Sequence, residues 1–160
     1  MTARITIPPQ VQALLRQLNA AGFSAYAVGG CVRDSLLGKT PNDWDITTSA
    51  KPEDMKSVFA DFHCIDTGIK HGTVTVVIDG EPLEITTFRL DGEYEDNRHP
   101  KSVTFTADLG ADLGRRDFTV NAMAYSKMTG TVDLFDGQND LKNKIIRCVG
   151  DPDRRFNEDA

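Results

Sequence analysis

Several kinds of residue and pattern are scarce in this chain of 160 residues. No apolar run approaches the roughly 20 residues of a membrane-spanning helix, and the N-terminal MTARITIPP lacks the apolar core of a signal peptide. We therefore expect a cytoplasmic protein with no membrane partner. The three cysteines, Cys31, Cys64 and Cys148, are odd in number and far apart. This favours reduced, mostly buried thiols over disulfides or a zinc site.

Basic residues are also outnumbered, because 18 Lys and Arg stand against 24 Asp and Glu, for a net charge of −6. This balance argues against a protein whose whole surface binds nucleic acid, and no DNA partner is expected. An RNA end could still enter one local basic patch. The residues that could form it are Arg115, Arg116, Lys142, Lys144, Arg147, Arg154 and Arg155, although each lysine taken alone is better interpreted as an ordinary solvated charge.

The chain reads as one continuous organisation without internal repeats or low-complexity linkers. Its apolar fraction of 39% is ordinary for a globular protein. Hydrophobic periodicity and turn residues predict the following elements. Helices are expected at 8–21, 31–37, from about 51, at 108–113 and within 119–126; strands at 24–28, 43–48, 73–78, 82–88 and 102–105; a two-residue hairpin turn at Asp79-Gly80; and a loop at 89–101.

Asp43 and Asp45 form the most informative pair of residues. In an extended strand, side chains at i and i+2 point to the same face, so the two carboxylates should project together while Trp44 turns away. Two adjacent carboxylates repel each other unless a cation lies between them, and Mg²⁺ prefers carboxylate and phosphate oxygens. A D-x-D alone is common in turns and on strand ends, so its meaning depends on what surrounds it.

A Gly-Gly turn precedes this pair. Gly29 and Gly30 follow a predicted strand and open a predicted helix, which places bare backbone N–H groups where an anion can approach. Arg33, one turn into the helix, can reach the same anion. Most Gly-Gly pairs are only tight turns, but here Arg33 and the Asp43–Asp45 pair follow. Together these residues indicate metal-assisted phosphoryl transfer.

Two further groups of charged residues stay open to two interpretations. Glu84 lies on the return strand of the hairpin and becomes a third carboxylate near the pair if that strand lies beside residues 43–48; otherwise it is a surface glutamate. The run Arg115-Arg116-Asp117, read alone, could be a surface ion-pair cluster worth about 0–1 kcal/mol.

Seven segments of the sequence, in order, carry a resemblance to a known family: YAVGGCVRDSLLG, PNDWDITTSA, GIKHGTV, LEITTFR, DGEYEDNRHPKSVTF, RRDFTVNAMAY and DGQNDLKNKIIRCVGDPDRRFNEDA. Residues 24–160 resemble the catalytic head of the class II tRNA nucleotidyltransferase and poly(A) polymerase family, within the polymerase-β-like nucleotidyltransferases. The resemblance implies an α+β fold with a mixed β-sheet flanked by helices.

The resemblance also implies roles for individual residues. Asp43 and Asp45 match the metal-binding carboxylates, and Glu84 is added as a candidate catalytic residue. The nucleotide-binding set comprises Gly29, Gly30 and Arg33 at the triphosphate, Arg116 at the nucleotide, Asp117 and Asn121 at the ribose, and Asp159 at the base.

The implied activity is template-independent addition of C, C and A to the 3′ end of tRNA from CTP and ATP, with Mg²⁺ as cofactor and release of pyrophosphate. The loop after Arg89 matches a segment that helps relatives pass from C to A addition, which favours a full CCA adder. The alternatives are the head of a bacterial poly(A) polymerase or of a CC- or A-adding enzyme, and a non-catalytic nucleotide- or RNA-binding module.

The sequence departs from the family pattern at its C-terminus. Residues 1–150 are expected to form the catalytic head, and 151–160 the start of a truncated neck. The arginine expected three residues after Asp159 is absent, because the chain ends at Ala160. A head alone should choose bases poorly and hold tRNA weakly. The sequence does not determine the oligomeric state.

Overall fold

Five α-helices and nine β-strands form within residues 5–68, 71–91 and 103–150, which this computed structural model describes. The helices are α1 (Pro9–Ala20), α2 (Gly30–Leu36), α3 (Pro52–Val58), α4 (Leu109–Gly114) and α5 (Gly137–Lys142). The strands are β1 (Ala25–Val28), β2 (Asp45–Thr48), β3 (His63–Gly68), β4 (Thr73–Ile78), β5 (Glu81–Thr87), β6 (Arg89–Asp91), β7 (Val103–Phe105), β8 (Ala124–Ser126) and β9 (Gly130–Val132). A 3₁₀ turn spans Thr119–Asn121.

Seven strands form one mixed sheet in the order β3-β4-β5-β2-β1-β8-β9. Strands β2 and β5 are parallel and the other neighbouring pairs are antiparallel, while β6 and β7 pair separately. Two successive residues of β1 belong to different apolar clusters. Ala27 packs with side chains of α1 and α3, whereas Val28 packs with Leu113 of α4. Since neighbouring strand residues face opposite ways, helices cover both faces. This confirms the predicted α+β class.

The main core lies under α1. Val11, Leu14, Leu15 and Leu18 are all buried because their i, i+3, i+4, i+7 spacing places them on one helix face. They pack with buried side chains of α3 and the sheet, such as Met55 and Ile46. Each such side chain contributes roughly 1.5–3 kcal/mol of burial free energy.

Several predictions made from periodicity and turn residues are confirmed. The helices expected at 8–21 and 31–37 are α1 and α2, and the strands expected at 24–28 and 73–78 are β1 and β4. Asp79 and Gly80 have φ of 53° and 79°, the positive values of a two-residue type I′ hairpin. They connect β4 to β5, which pair in antiparallel register from this turn onward.

Other predictions were wrong. The helix expected within 119–126 is a 3₁₀ turn followed by β8, because pairing of Ala124 with Val28 in the sheet overrides helix propensity. The predicted loop at 89–101 begins with strand β6. Strand β2 begins at Asp45, so Asp43 precedes it. The sequence did not predict β3, β9 or α5.

Parts of some predictions lie outside the described residues. These parts are 92–102 of the predicted loop and following strand, and 151–160 of the predicted neck. Within the described ranges, no helix is long and apolar enough to cross a membrane. The cysteines are free thiols: Cys31 is buried, whereas Cys64 and Cys148 are half-buried. Burial raises the pKa of the Cys31 and Cys64 thiols.

Asp140 of α5 connects this helix to the 3₁₀ turn and to Arg147 through its side-chain carboxylate. It is buried and accepts hydrogen bonds from Thr119 Oγ1 at 2.7 Å and Arg147 Nε at 3.1 Å. The Thr119 bond, with help from Arg147, holds the pKa of the Asp140 carboxyl below its ordinary value of 3.8. A carboxyl with a depressed folded pKa stabilises the protein above its unfolded pKa, and this stability is lost as pH falls through the folded pKa.

We therefore expect Asp140→Asn to lower the unfolding temperature near neutral pH, with a difference from the unmodified chain that shrinks below about pH 4. Thermal denaturation across acidic and neutral pH measures this. The control is Asp66→Asn, which removes a half-exposed carboxylate paired with Lys56 and should change little. A deficit of Asp140→Asn that persisted unchanged into acid would contradict the assignment.

Candidate active site

The Gly29–Gly30 turn connects β1 to α2. Gly29 has φ of 83°, in the region that favours glycine, and its N–H donates to the carbonyl of Met123 at 3.2 Å. A Cβ on Gly30 would lie 3.3 Å from Arg33 Nη2. Glycine at 30 therefore lets the Arg33 guanidinium fold back against the turn, where the sequence places it within reach of an anion.

Arg33 connects this turn to the 3₁₀ turn. Its Nε donates to Asp34 Oδ1 at 3.0 Å and its Nη1 to Asn121 Oδ1 at 2.7 Å. Asn121 Nδ2 in turn donates to Asp117 Oδ1 at 3.3 Å, and the same oxygen accepts the N–H of Phe118 at 2.6 Å. Three residues predicted to bind nucleotide, which lie up to 88 positions apart in the chain, thus form one hydrogen-bonded chain.

Arg116, two residues after the end of α4, borders the same turn. Its side chain is 19% exposed, and its Nη2 donates to Asp112 Oδ2 at 3.1 Å. A Cβ on Gly29 would lie 3.9 Å from Arg116 Nη1, so the guanidinium borders the glycine turn. Burial lowers the pKa of Arg116, and the nearby Asp112 carboxylate opposes that shift. Arg116 Nε is buried and has no hydrogen-bond partner within the described residues, which leaves a donor for an anion.

The carboxylate pair lies at the start of β2. Asp43 and Asp45 are exposed, whereas Trp44 between them is buried at 8% exposure. Partial desolvation raises the pKa of Asp45, the charge of Arg116 opposes the shift, and the Asp43 carboxylate adds to it. The Asp45 charge is therefore disfavoured in a way that a bound cation would relieve.

Glu84 lies directly beside this pair in the sheet. Its strand β5 is parallel to β2, and Glu84 is in register with Asp45, so the condition stated for a third nearby carboxylate is met. An open pocket of about 680 Å³ is lined by all three carboxylates, together with Trp44 and Thr75 among others. The described residues nevertheless contain no group of three or more His, Cys, Asp or Glu arranged to hold a metal. A metal here would draw two protein ligands from the pair and the rest from substrate and water.

Two residues near the site escaped the sequence reasoning. Asp112 is buried beside Arg116, and Thr47 Oγ1 donates to it at 3.2 Å. The signal for Asp112 was its position three and four residues before Arg115 and Arg116, a spacing that brings side chains together on a helix. Nothing in the sequence indicated Thr47. Asp159, predicted to contact the base, lies outside the described residues.

A mixed sheet that carries a carboxylate pair beside a glycine turn, with two arginines at that turn, fits the polymerase-β-like nucleotidyltransferase head that the sequence resembles. A sequence profile of the poly A polymerase head domain matches residues 25–147. The chain therefore belongs to the family of poly A polymerase head domains.

Known proteins agree with this assignment. The CCA-adding enzyme of Lactobacillus helveticus is 58% identical over 147 residues, covering 92% of this chain and 36% of that protein. The enzyme of Geobacillus thermodenitrificans is 52% identical over 155 residues, covering 96% of this chain and 38% of that protein. The chain thus spans little more than a third of the length of these curated relatives.

Solved structures share the fold. The Bacillus stearothermophilus CCA-adding enzyme in complex with CTP superposes with a TM-score of 0.83 at 46% identity, covering 96% of this chain and 37% of that one. The Thermotoga maritima CCA-adding enzyme complexed with tRNA superposes with a TM-score of 0.68 at 26% identity, covering 90% of this chain and 34% of that one. The mixed sheet with flanking helices is therefore the fold of CCA-adding enzyme heads.

Proposed function

We propose that this chain is the catalytic head of an RNA nucleotidyltransferase that adds C, C and A to the 3′ end of tRNA without a template, using CTP and ATP and releasing pyrophosphate. The observation that carries this proposal is the convergence of Arg33 and Arg116 on the Gly29–Gly30 turn, with Arg116 also close enough to Asp45 to oppose its pKa shift. The similarity to CCA-adding enzymes supports the choice of substrates.

The residues divide into a side for the triphosphate and a side for the metal. The turn amides of Gly29 and Gly30, with Arg33 and Arg116, would bind and orient the phosphates, because fixed donors stabilise charge without reorganisation. Asp43 and Asp45 would hold Mg²⁺, a fit supported by their carboxylates lining one open pocket with Glu84, because Mg²⁺ prefers carboxylate oxygens. When bound, Mg²⁺ would supply Lewis-acid activation of the RNA 3′-hydroxyl and neutralise the leaving pyrophosphate. Glu84, in register with Asp45, would help to orient the carboxylates that hold the metal.

Asn121 and Asp117 would read the ribose. Both are already hydrogen-bonded to each other, and Asn121 also to Arg33, so a ribose hydroxyl would join a network that includes a phosphate-binding arginine. A deoxynucleotide lacks the 2′-hydroxyl that would make this additional hydrogen bond, which favours ribonucleotides.

We further propose that residues 1–150 are the head and 151–160 the beginning of a neck, with Asp159 contacting the base. Since the chain spans about a third of its relatives, base order and most tRNA contacts would come from the remaining part. The three free thiols fit a reducing compartment such as the cytoplasm.

A chimera tests the proposal. In this chimera, the chain replaces the aligned residues of the Lactobacillus helveticus enzyme. The chimera is then supplied with CTP, ATP, Mg²⁺ and a tRNA that lacks its terminal CCA. We expect addition of three nucleotides in the order C, C, A. Because base order would come from the Lactobacillus part of this chimera, the poly(A) polymerase alternative is tested with a full-length version of this protein, in which runs of A would favour that alternative. A chimera that folds and binds ATP but adds nothing would favour a non-catalytic module.

A further inference from the structure

Asp112 is a fully buried carboxylate that the proposed mechanism does not use. Its Oδ1 accepts hydrogen bonds from the Arg89 backbone N–H at 3.1 Å and from Arg115 Nε at 3.3 Å. Its Oδ2 accepts from Thr47 Oγ1 at 3.2 Å and from Arg116 Nη2 at 3.1 Å. An ionised carboxylate has about four acceptor positions, so all of them are occupied.

The partners of Asp112 come from three separate parts of the fold. Thr47 belongs to β2 and lies two residues after Asp45, so their side chains leave the strand on the same face. Arg89 begins β6, directly after the strand that carries Glu84. The guanidinium of Arg116 borders the Gly29–Gly30 turn. One carboxylate thus connects the strand of the proposed metal ligands to the arginine proposed for the phosphates.

This connection decides which donors of Arg116 face the turn. Asp112 engages Nη2, while Nη1 borders Gly29 and Nε is buried without a partner in the described part of the chain. A buried guanidinium that is fixed on one side by a carboxylate presents its remaining donors in a defined direction, because its fork is rigid. Without that carboxylate, Arg116 would lose its anchor and its alignment with β2.

We propose that Asp112 is a positioning residue: it holds Arg116 in register with the Asp45 face of β2, so that the remaining guanidinium donors meet the nucleotide phosphates. The inference rests on the proposed function, since it gives Arg116 a phosphate to contact. It assigns no chemistry to Asp112 itself.

The variant Asp112→Asn separates positioning from simple space filling. Asparagine keeps the shape, but one acceptor oxygen becomes an NH₂ donor that faces protein donors. At least two of the four hydrogen bonds cannot form. Isothermal titration of the chain with ATP and Mg²⁺ should show a dissociation constant raised about tenfold or more.

A double-mutant cycle with Arg116→Gln identifies the route of the effect. If Asp112 acts through Arg116, the double variant binds ATP no more weakly than Arg116→Gln alone, since coupled residues are not additive. Ile78→Val, which trims a buried side chain at the hairpin end of β4, is the control for lost stability. It should lower the unfolding temperature without changing ATP affinity.

The outcomes are distinct. Weaker binding in Asp112→Asn that disappears in the Arg116→Gln background supports the inference. Unchanged binding in Asp112→Asn, or a further weakening of equal size in the double variant, overturns it while leaving the proposed function intact. If the unmodified chain binds no ATP, the proposed nucleotide site fails, and this inference fails with it.

Discussion

In the chimera described above, Asp45→Asn should reduce Mg²⁺-dependent nucleotide addition by about a thousandfold or more, because metal charge stabilisation of the transition state is worth several kcal/mol. The same change should not weaken the fold. Desolvation and the neighbouring Asp43 raise the pKa of Asp45, so its ionised form disfavours the folded state. Steady-state rates of tRNA extension and thermal unfolding of the same samples measure both effects.

The sign of the stability effect can also be tested with pH. A carboxyl whose folded pKa is raised costs stability once pH exceeds its unfolded pKa. Asp45→Asn should therefore unfold at the same or a higher temperature than the unmodified chain at neutral pH, and this advantage should vanish in acid. Asp66→Asn, on β3, removes an exposed ion pair with Lys56 and should leave activity unchanged. Full extension activity in Asp45→Asn would refute the metal assignment.

Gly137→Ala should be among the most destabilising single changes in the chain. A Cβ at Gly137 would collide with the carbonyl oxygen of Thr119 and lie 3.0 Å from its carbonyl carbon. Because the obstacle is backbone, α5 would have to move away from the 3₁₀ turn. Overpacking of this kind costs about 3 kcal/mol of unfolding free energy. Urea denaturation measures the loss.

Gly114→Ala provides the matched control for this change. Among the described residues, its Cβ would meet Phe135 Cζ at 3.7 Å, an ordinary contact, so the unfolding free energy should change by less than about 1 kcal/mol. Gly137→Ala should also weaken ATP binding, because the 3₁₀ turn carries Asn121. A Gly137→Ala protein as stable as Gly114→Ala would contradict the packing described for α5.

Local rules made parts of this molecule predictable from its sequence. The apolar spacing of α1 specifies a buried helix face, and two consecutive positive φ values at Asp79-Gly80 suit the hairpin turn. The turn at Gly29 follows from the same reasoning, since a positive φ between a strand and a helix requires glycine there. These features depend on residues within a few positions of one another.

Features that depend on distant residues were not predictable in this way. The bond between Thr47 and Asp112 joins positions 65 apart, and β8 forms only because β1 offers it a partner. A helix was expected within residues 119–126, yet the sheet takes the last part of them. The residue pattern alone indicated Gly29, Gly30 and Arg33, and a family resemblance added the other proposed nucleotide-binding residues. The role of the buried carboxylate behind Arg116 became visible only in the fold.

Asp43, Asp45 and the glycine turn are proposed to form one metal-dependent triphosphate site. The most direct test is to titrate the 160-residue chain with ATP and with CTP, with and without Mg²⁺, and to follow the emission of Trp44. This residue is the only tryptophan of the chain and lies between the two carboxylates. We expect saturable changes in emission, of similar affinity for both nucleotides, that require Mg²⁺ and are lost in Asp45→Asn. Binding that is independent of Mg²⁺, or no binding of either nucleotide, would contradict this proposal.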